Sequence, residues 1–346
     1  MRRFFLKMMA AVAVAAVTTQ APVQAAETIR VGYIPVLGSS ALFVLDGKGW
    51  AKDAGLTLEL VRFTSGPQAI QALVAGRIDG YVAGVLPLLQ ARAHGADVKV
   101  VAAASVDELS VIARGPLAAS VPADGQAPLS AQATREVFEH FHTTQGRLPR
   151  IATQPPGSVP DTLLRYWLKQ RVGITDLAAA ATIVGVDIDA AQQAFLAGAV
   201  DAAVLREPAL TVVRRRLPDA RIFVDGQGMM PDQPGSVLAI LRPTAPDRQG
   251  WTKTLTALFV RATTLLSQHP DEAVPYVQKV LGGGLVSEEL MKEALEHSAA
   301  HFISDPARII PGVRDLQDFE VAQGLLRKAQ PVEDLFIQDL WRQGTP

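Results

Sequence analysis

Five short stretches carry most of the groups that this chain could turn to chemistry. Gly38-Ser39-Ser40, Ser65-Gly66 and Gly157-Ser158 each close an apolar run and open an amphipathic one, while Gly84-Val85 and Arg206-Glu207 follow two matching apolar runs. Glycine and serine at a helix start present unpaired main-chain N–H groups and hydroxyls, which hold a small anion without covalent chemistry. Each such end favours a negative charge by roughly 0.3–1 kcal/mol. Several ends together with Arg206 outweigh the single carboxylate of Glu207, so the expected guest is an anion or a zwitterion. Local duties compete with this reading. Ser65 and Ser158 are equally suited to capping their own helices, and Glu207 to bracing the turn before Pro208 or pairing with Arg206.

Catalytic arrangements find less support. No Ser-His-Asp order falls on strand ends, and the absence of cysteine removes thiolate nucleophiles, thiolate metal sites and disulfides. His297 and His301 stand four apart on a helical segment and could share a metal. The pattern supplies no third ligand, so an exposed pair is expected and no metal or other cofactor is assigned. His140 and His142, two apart in a helical segment, point to different sides. Asp79 and Asp201 sit inside turns and are expected to bind nearby backbone rather than a guest.

The elements that must position these groups are stated twice. Residues 67–82 (PQAIQALVAGRIDGYV) recur 122 positions later as residues 189–204 (DAAQQAFLAGAVDAAV), with Gln71, Ala72, Ala75, Gly76, Asp79 and Val82 repeated as Gln193, Ala194, Ala197, Gly198, Asp201 and Val204. Apolar residues three and four apart predict a short helix, closed by a glycine that can take the left-handed conformation. A strand follows at once, over 78–83 and 200–205, with Asp189 as the expected cap of the second helix. The echo extends outward: strands over 29–35 and 150–153 each run into a Gly-Ser turn and a helix. Two lobes of β-turn-α-β-α-β plan are implied, each a parallel sheet covered by helices, meeting at a cleft at the carboxyl ends of their strands.

The expected organisation assigns 26–114 and 236–346 to a first lobe with a helical tail, and 115–235 to a second. Residues 111–114 are read as a strand leaving the first lobe, 115–130 as a Pro- and Ala-rich crossing, and 236–241 as a strand returning, which gives a two-hinge clamp. Beyond Trp251 helical periodicity predicts helices over 251–268, 271–280, 287–301 and 315–327.

Residues 1–25 read as a separate unit. Arg2, Arg3 and Lys7 precede an apolar run from Met8 to Val17, and Val23-Gln24-Ala25 is a small-x-small cleavage pattern, so an export signal cut near Ala25 is expected. Arg2-Arg3 fits a twin-arginine route as well as an ordinary one. Removing those residues takes three of the 33 basic residues and leaves 30 Lys and Arg against 34 Asp and Glu. With no basic block beyond Arg214-Arg215-Arg216, nucleic-acid binding is not expected.

Several of these stretches resemble one family. Ile29 to Pro35, Gly66-Pro67-Gln68 ahead of Ala75 to Asp79, Pro156-Gly157-Ser158, and Gly198 to Pro208 are similar to the substrate-binding proteins of ABC importers, nearest the nitrate/sulfonate/taurine branch. The resemblance covers about 29–241. It implies the two-lobed type 2 periplasmic-binding-protein fold and a monomer in the periplasm. It also implies a small sulfonate, carboxylate or nitrate-like ligand held by the five stretches above, and partnership with a permease and its ATPase. Members of the branch carry tryptophans around the second Asp-Ala step and before its acidic-Pro pair; here Ala203 and Arg206 stand there, which tells against taurine and simple alkanesulfonates and leaves room for a flat aromatic or longer carboxylate or sulfonate. The alternatives are a thiamine-pyrimidine-type or other heterocycle-binding transport protein, and an exported enzyme on the same fold. The iron chemistry of the pyrimidine-synthesising relatives needs cysteines that this chain lacks. A ligand-sensing domain of a transcription regulator would have a helix-turn-helix where this chain has its export signal.

Overall fold

The computed structural model describes residues 27–123, 128–284 and 286–344. The expected export signal, 1–25, lies outside the described residues.

Among the described residues ten strands pair into two separate five-stranded sheets. The first contains β1 (Glu27–Tyr33), β2 (Leu56–Arg62), β3 (Gly80–Gly84), β4 (Val98–Ala103) and β10 (Ser236–Leu241) in the order β2-β1-β3-β10-β4. The second contains β5 (Ser110–Ala113), β6 (Arg150–Thr153), β7 (Thr182–Gly185), β8 (Ala202–Leu205) and β9 (Arg221–Val224) in the order β7-β6-β8-β5-β9. The plans coincide strand for strand. β1 pairs in parallel with β2 and β3, as β6 does with β7 and β8. The remaining slot in each sheet is filled by an antiparallel strand that arrives from the other lobe, β10 in the first and β5 in the second.

Two expectations change here. The sheets are mixed rather than parallel, because a chain that crosses between lobes enters the next sheet against its neighbours. Residues 110–113 do not leave the first lobe but pair with β8 and β9, so the first crossing falls at 104–109, ahead of the expected break at 114. The repeated helices, Gly66–Val74 and Ile188–Leu196, end alike. Gly76 (φ +68°) and Gly198 (φ +75°) take left-handed turns. Arg77 N–H then donates to Ala72 O and Ala199 N–H to Ala194 O, both at 2.9 Å, closing each helix in the six-to-one pattern that releases the chain into the next strand. Asp187, not Asp189, occupies the N-cap of the second helix, and Asp189 lies in its first turn.

The tail begins with helices Gln249–Gln268, Pro270–Leu281 and Glu288–Ser298. Phe259, Leu255, Leu266, Val277 and Leu295 bury their apolar faces in one core with Ile29, Val31, Leu42 and Leu238 of the first lobe. The next helix, Ile310–Ala322, starts five residues before the sequence pattern suggests because Pro311 is accommodated in its first turn. It is not confined to the first lobe. It packs on both Val159–Tyr166 of the second lobe and Leu86–Ala93 of the first, and Thr162 Oγ1 donates to Glu320 Oε1 at 2.9 Å.

Candidate functional site

The two crossings run side by side between the lobes. Ala104 N–H donates to Ser236 O (2.9 Å) and Asp107 N–H to Gln233 O (3.0 Å). Ser236 N–H donates to Ser105 Oγ at 3.0 Å, Leu109 N–H to Gln233 Oε1 at 3.0 Å and Gln233 N–H to Asp107 Oδ1 at 2.8 Å. Asp107 takes a positive φ of 50°, one of the few non-glycine types that does so at small cost. A sequence rich in short polar side chains thus makes a hinge whose backbone N–H groups are met by the facing strand's carbonyls and by the side chains of Ser105, Asp107 and Gln233.

Arg206, immediately after β8, reaches this hinge. Its Nη1 donates to Glu108 Oε1, and the two side chains are 3% and 9% exposed. Glu108 also accepts from Ser105 Oγ through Oε2 (2.6 Å) and from Ser236 Oγ through Oε1 (3.2 Å). The question whether Arg206 pairs with its neighbour Glu207 is thereby answered: its partner is Glu108, 98 residues away. Arg206 Nε is buried with no partner.

Glu207 has a different setting. Its Oε2 accepts from Thr211 N–H at 2.9 Å, and its main-chain oxygen accepts from Leu37 N–H of the first lobe at 3.1 Å. Burial pushes its carboxyl up to about 7, against the opposing pull of the Thr211 bonds and Arg214. His297 Nδ1 stands 4.0 Å from Oε1.

Two cavities flank these residues, and both are lined by Arg206 and Glu207. One, of about 360 Å³, lies on the hinge side with Gly38, Ser105, Asp107 and Phe302. The other, of about 370 Å³, lies on the far side with Pro35, Arg62, Gln154, Asp189 and Gln192, where Arg62 and Asp189 form a 2.5 Å ion pair across the lobes. Each is large enough for a small organic ligand.

The other expected residues divide. Gly38 lines the hinge-side cavity, pressed against Ser236 and Glu108. Ser39 spends its hydroxyl on Ile34 O (2.8 Å) and, at 3.4 Å, Val82 O. Ser40 is buried with its Oγ unpartnered. Ser65 stands at the N-cap of its helix without a side-chain cap bond, and Gly66 lies under the Tyr81 hydroxyl, which donates to Gly84 O at 2.8 Å. Gly84 meets the second lobe directly, since a Cβ placed on it would lie 2.6 Å from Val159 Cγ2. Val85 is fully buried in the core. Gly157, left-handed at φ +83°, is covered by Gln90 from the first lobe. Ser158 caps its helix, accepting from Asp161 N–H at 3.4 Å. The structure therefore brings Gly38, Arg206 and Glu207 to the cavities, while Gly84, Gly157 and Ser158 lie in or beside a direct contact of one lobe with the other.

Sequence reasoning missed Glu108, Thr153 and Gln154. Thr153 Oγ1 is buried without a partner, and Gln154 lines the far cavity. The repeat carried a signal for Gln154, which stands where the first copy has Ile34 if Arg30 is matched to Arg150. His297, which is exposed, and His301, half-buried, both line the hinge-side cavity. Among the described residues no group of three or more His, Asp or Glu is arranged to hold a metal ion. No helix among them is long and apolar enough to cross a membrane.

A two-lobed mixed α/β molecule with ligand-sized cavities at the lobe interface defines a class of binding protein, and the chain belongs to the NMT1-like family, which it matches over residues 23–281. It is 26% identical over 316 residues to a Bacillus subtilis (strain 168) protein named as an aliphatic sulfonates-binding protein, covering 90% of this chain and 77% of that one. The fold is that of the periplasmic nitrate-binding protein NrtA from Synechocystis PCC 6803, with a TM-score of 0.74 at 16% identity over 92% of this chain and 88% of that one. It is also that of the alkanesulfonate-binding protein SsuA from Xanthomonas axonopodis pv. citri bound to MOPS, with a TM-score of 0.67 at 22% identity over 90% and 98% of the two chains.

Proposed function

We propose that this protein is the periplasmic substrate-binding protein of an ABC importer, exported by its N-terminal signal. As a monomer it takes a small anionic ligand of sulfonate, carboxylate or nitrate-like type between its lobes. The observation that carries this reading is Arg206: a side chain 3% exposed, lining both cavities at the lobe interface, with Nε unpartnered. A buried donor without an acceptor is costly, and an anionic ligand supplies one. The relatives' names and the shared fold support the transport role. Ligand contacts from both lobes favour the closed form over the open one, and the closed form is what a permease with its ATPase would accept. The protein is given no catalytic step.

A thermal-shift screen of nitrate, alkanesulfonates, aromatic sulfonates and carboxylates tests the reading. A true ligand at one hundred times its dissociation constant stabilises by about 2.7 kcal/mol, so a rise of several degrees that saturates, confirmed by calorimetry at one site per chain, is the expected result. Failure of every anion to shift the melting point, or turnover of a bound compound, would overturn it. Recovery from the periplasm of a chain beginning near residue 26 checks the export step.

A further inference from the structure

We propose that one proton, held by Glu320 of the tail beside Asp161 of the second lobe, latches the two lobes together, and that losing it lets them part. The latch concerns closure rather than the guest, so it stands or fails apart from the transport reading above.

It lies where three helices meet. Ile310–Ala322 of the tail packs against Leu86–Ala93 of the first lobe and Val159–Tyr166 of the second. The chain beyond it is fastened to the first sheet, since Val332–Leu335 packs on β4 and Ile337 N–H donates to Val100 O at 2.9 Å. The end of this tail helix is turned to the second lobe: Phe319 stands edge-on to Tyr166 at 5.6 Å, Glu320 Oε1 accepts from Thr162 Oγ1 at 2.9 Å, and Gln323 Oε1 accepts from Lys169 Nζ at 2.5 Å. Val159, which meets Gly84 across the lobes, starts the short helix that also carries Asp161 and Thr162. An opening that breaks the Gly84 contact therefore draws both residues away from Glu320.

The junction buries two carboxyls and provides fully for neither. Glu320 is fully buried and Asp161 is 1% exposed. Asp161 Oδ2 accepts from Arg165 Nε at 2.9 Å, but its Oδ1 has no partner, nor has Glu320 Oε2. Asp161 has a guanidinium and Glu320 only the neutral Thr162 hydroxyl, so a proton shared by the pair belongs on Glu320. There it removes a like charge from beside Asp161 and turns the orphan Oε2 into a donor. Burial, with the charge of Asp161 adding to it, pushes the Glu320 carboxyl up to about 7 against the pull of Thr162. The other charged side chains on this helix and on the elements packed around it are engaged or exposed. Arg92 donates to Val98 O, Arg308 to Asp232 and Arg314 to Glu333, while Asp315, Asp318 and Asp334 are exposed.

Parted lobes leave Glu320 in water, where a glutamate titrates near about 4.3. The closed form thus binds the proton more tightly than the open one. Its support for closure is complete below about pH 4 and is lost as pH rises through about 7.

The test uses the purified protein dialysed free of small molecules. The chain has no cysteine of its own, so Ala75→Cys with Ala197→Cys places a spin or fluorescent label at the exposed end of the repeated helix in each lobe. The ratio of closed to open molecules is expected to fall at least about tenfold between pH 5 and pH 8. Glu320→Gln keeps an acceptor for Thr162 and a donor for Asp161 without a charge. It should leave the molecule as closed at pH 8 as the parent is at pH 5, with the tenfold response gone. If that variant does not fold, Asp161→Asn decides: without the neighbouring charge the midpoint should move by at least about half a pH unit toward acid, and an unmoved midpoint overturns the latch. A label distance that is the same at both pH values overturns it too. So does a response that survives unchanged in Glu320→Gln, which would belong to another buried acid such as Glu207.

Discussion

The two copies of the repeated segment agree where they fold and differ where they end. Asp79 accepts from Arg30 N–H (3.1 Å) and Arg30 Nε (3.0 Å), and Asp201 from Arg150 N–H (2.8 Å) and Arg147 Nη1 (2.7 Å). In both lobes an aspartate after the helix-closing glycine thus stitches the third strand of the βαβ unit to the first, using backbone and guanidinium together. The strands that follow then part company. β3 runs out into Gly84, which has no side chain and lets Val159 of the other lobe approach. β8 runs out into Arg206, which fills the interface and grips the hinge. What is common holds each lobe; what differs is spent on the space between them.

The sharpest way to break the comparison is at those ends. Arg206→Ala removes the only cation bonded to the buried Glu108 among the described residues, and losing one partner of a buried pair typically costs 3–5 kcal/mol. Urea unfolding is expected to show a loss of about 3 kcal/mol together with weaker ligand binding. Pairing the change with Glu108→Gln should return much of the stability and none of the affinity. A simple ligand anchor, by contrast, would lose affinity at unchanged stability.

A smaller effect is expected at the shared aspartates, and it should be unequal. Asp79 has a second guanidinium, Arg248 Nη2 at 3.0 Å, which ties the first lobe to the start of the tail; Asp201 relies on Arg147, half exposed on the loop before β6. Charged hydrogen bonds contribute about 1.5–3 kcal/mol where buried and less where a partner is solvated. Asp79→Asn should therefore cost about 2–3 kcal/mol and Asp201→Asn about 1–2 kcal/mol. Burial alone would raise both carboxyls, but the arginine and backbone bonds outweigh it and hold both below the ordinary carboxylate value. The folded state therefore binds these protons less readily than the unfolded chain. The stabilisation is fully present above about pH 4 and is lost as pH falls through the depressed values. Unfolding midpoints taken from pH 7 down to pH 2 should drop on the acid side, and each Asn variant should flatten that limb, Asp79→Asn more than Asp201→Asn.

How much of this was legible in the sequence follows from the range of the interactions. The repeat, its closing glycines and the strands 150–153, 221–224 and 236–241 were readable because local periodicity and turn residues specify them. β5 was recognised as a strand and given to the wrong sheet, since four buried residues, Ser110 to Ala113, carry no mark of which neighbours they will pair with. The expected Ser-Gly stretches were located at the right strand ends, but whether a serine faces ligand, backbone or the opposite lobe depends on how far the lobes close. Glu108 escaped notice because its role exists only once Arg206, Ser105 and Ser236 converge from three separate segments.

The smallest expected difference separates two serines that look alike in sequence. Ser65 and Ser158 both precede a helix that opens with proline at its start, and both are buried. Only Ser158 uses its hydroxyl as a cap, toward Asp161 N–H; Ser65 stands at the N-cap with extended backbone and no side-chain cap bond. Loss of a capping hydroxyl costs about 0.5–2 kcal/mol, and the length of the Ser158 bond, 3.4 Å, places it toward the lower end. Ser158→Ala is expected to lower stability by about 1 kcal/mol with ligand affinity little changed. Ser65→Ala should fall within about 0.5 kcal/mol of the parent, the usual range for a change that breaks no such feature. Equal losses at the two positions would mean that the two lobes use their helix starts in the same way. A loss of affinity at Ser65 alone would assign its hydroxyl to the ligand, and so move the first lobe's contribution from Gly38 to the start of the Gly66–Val74 helix.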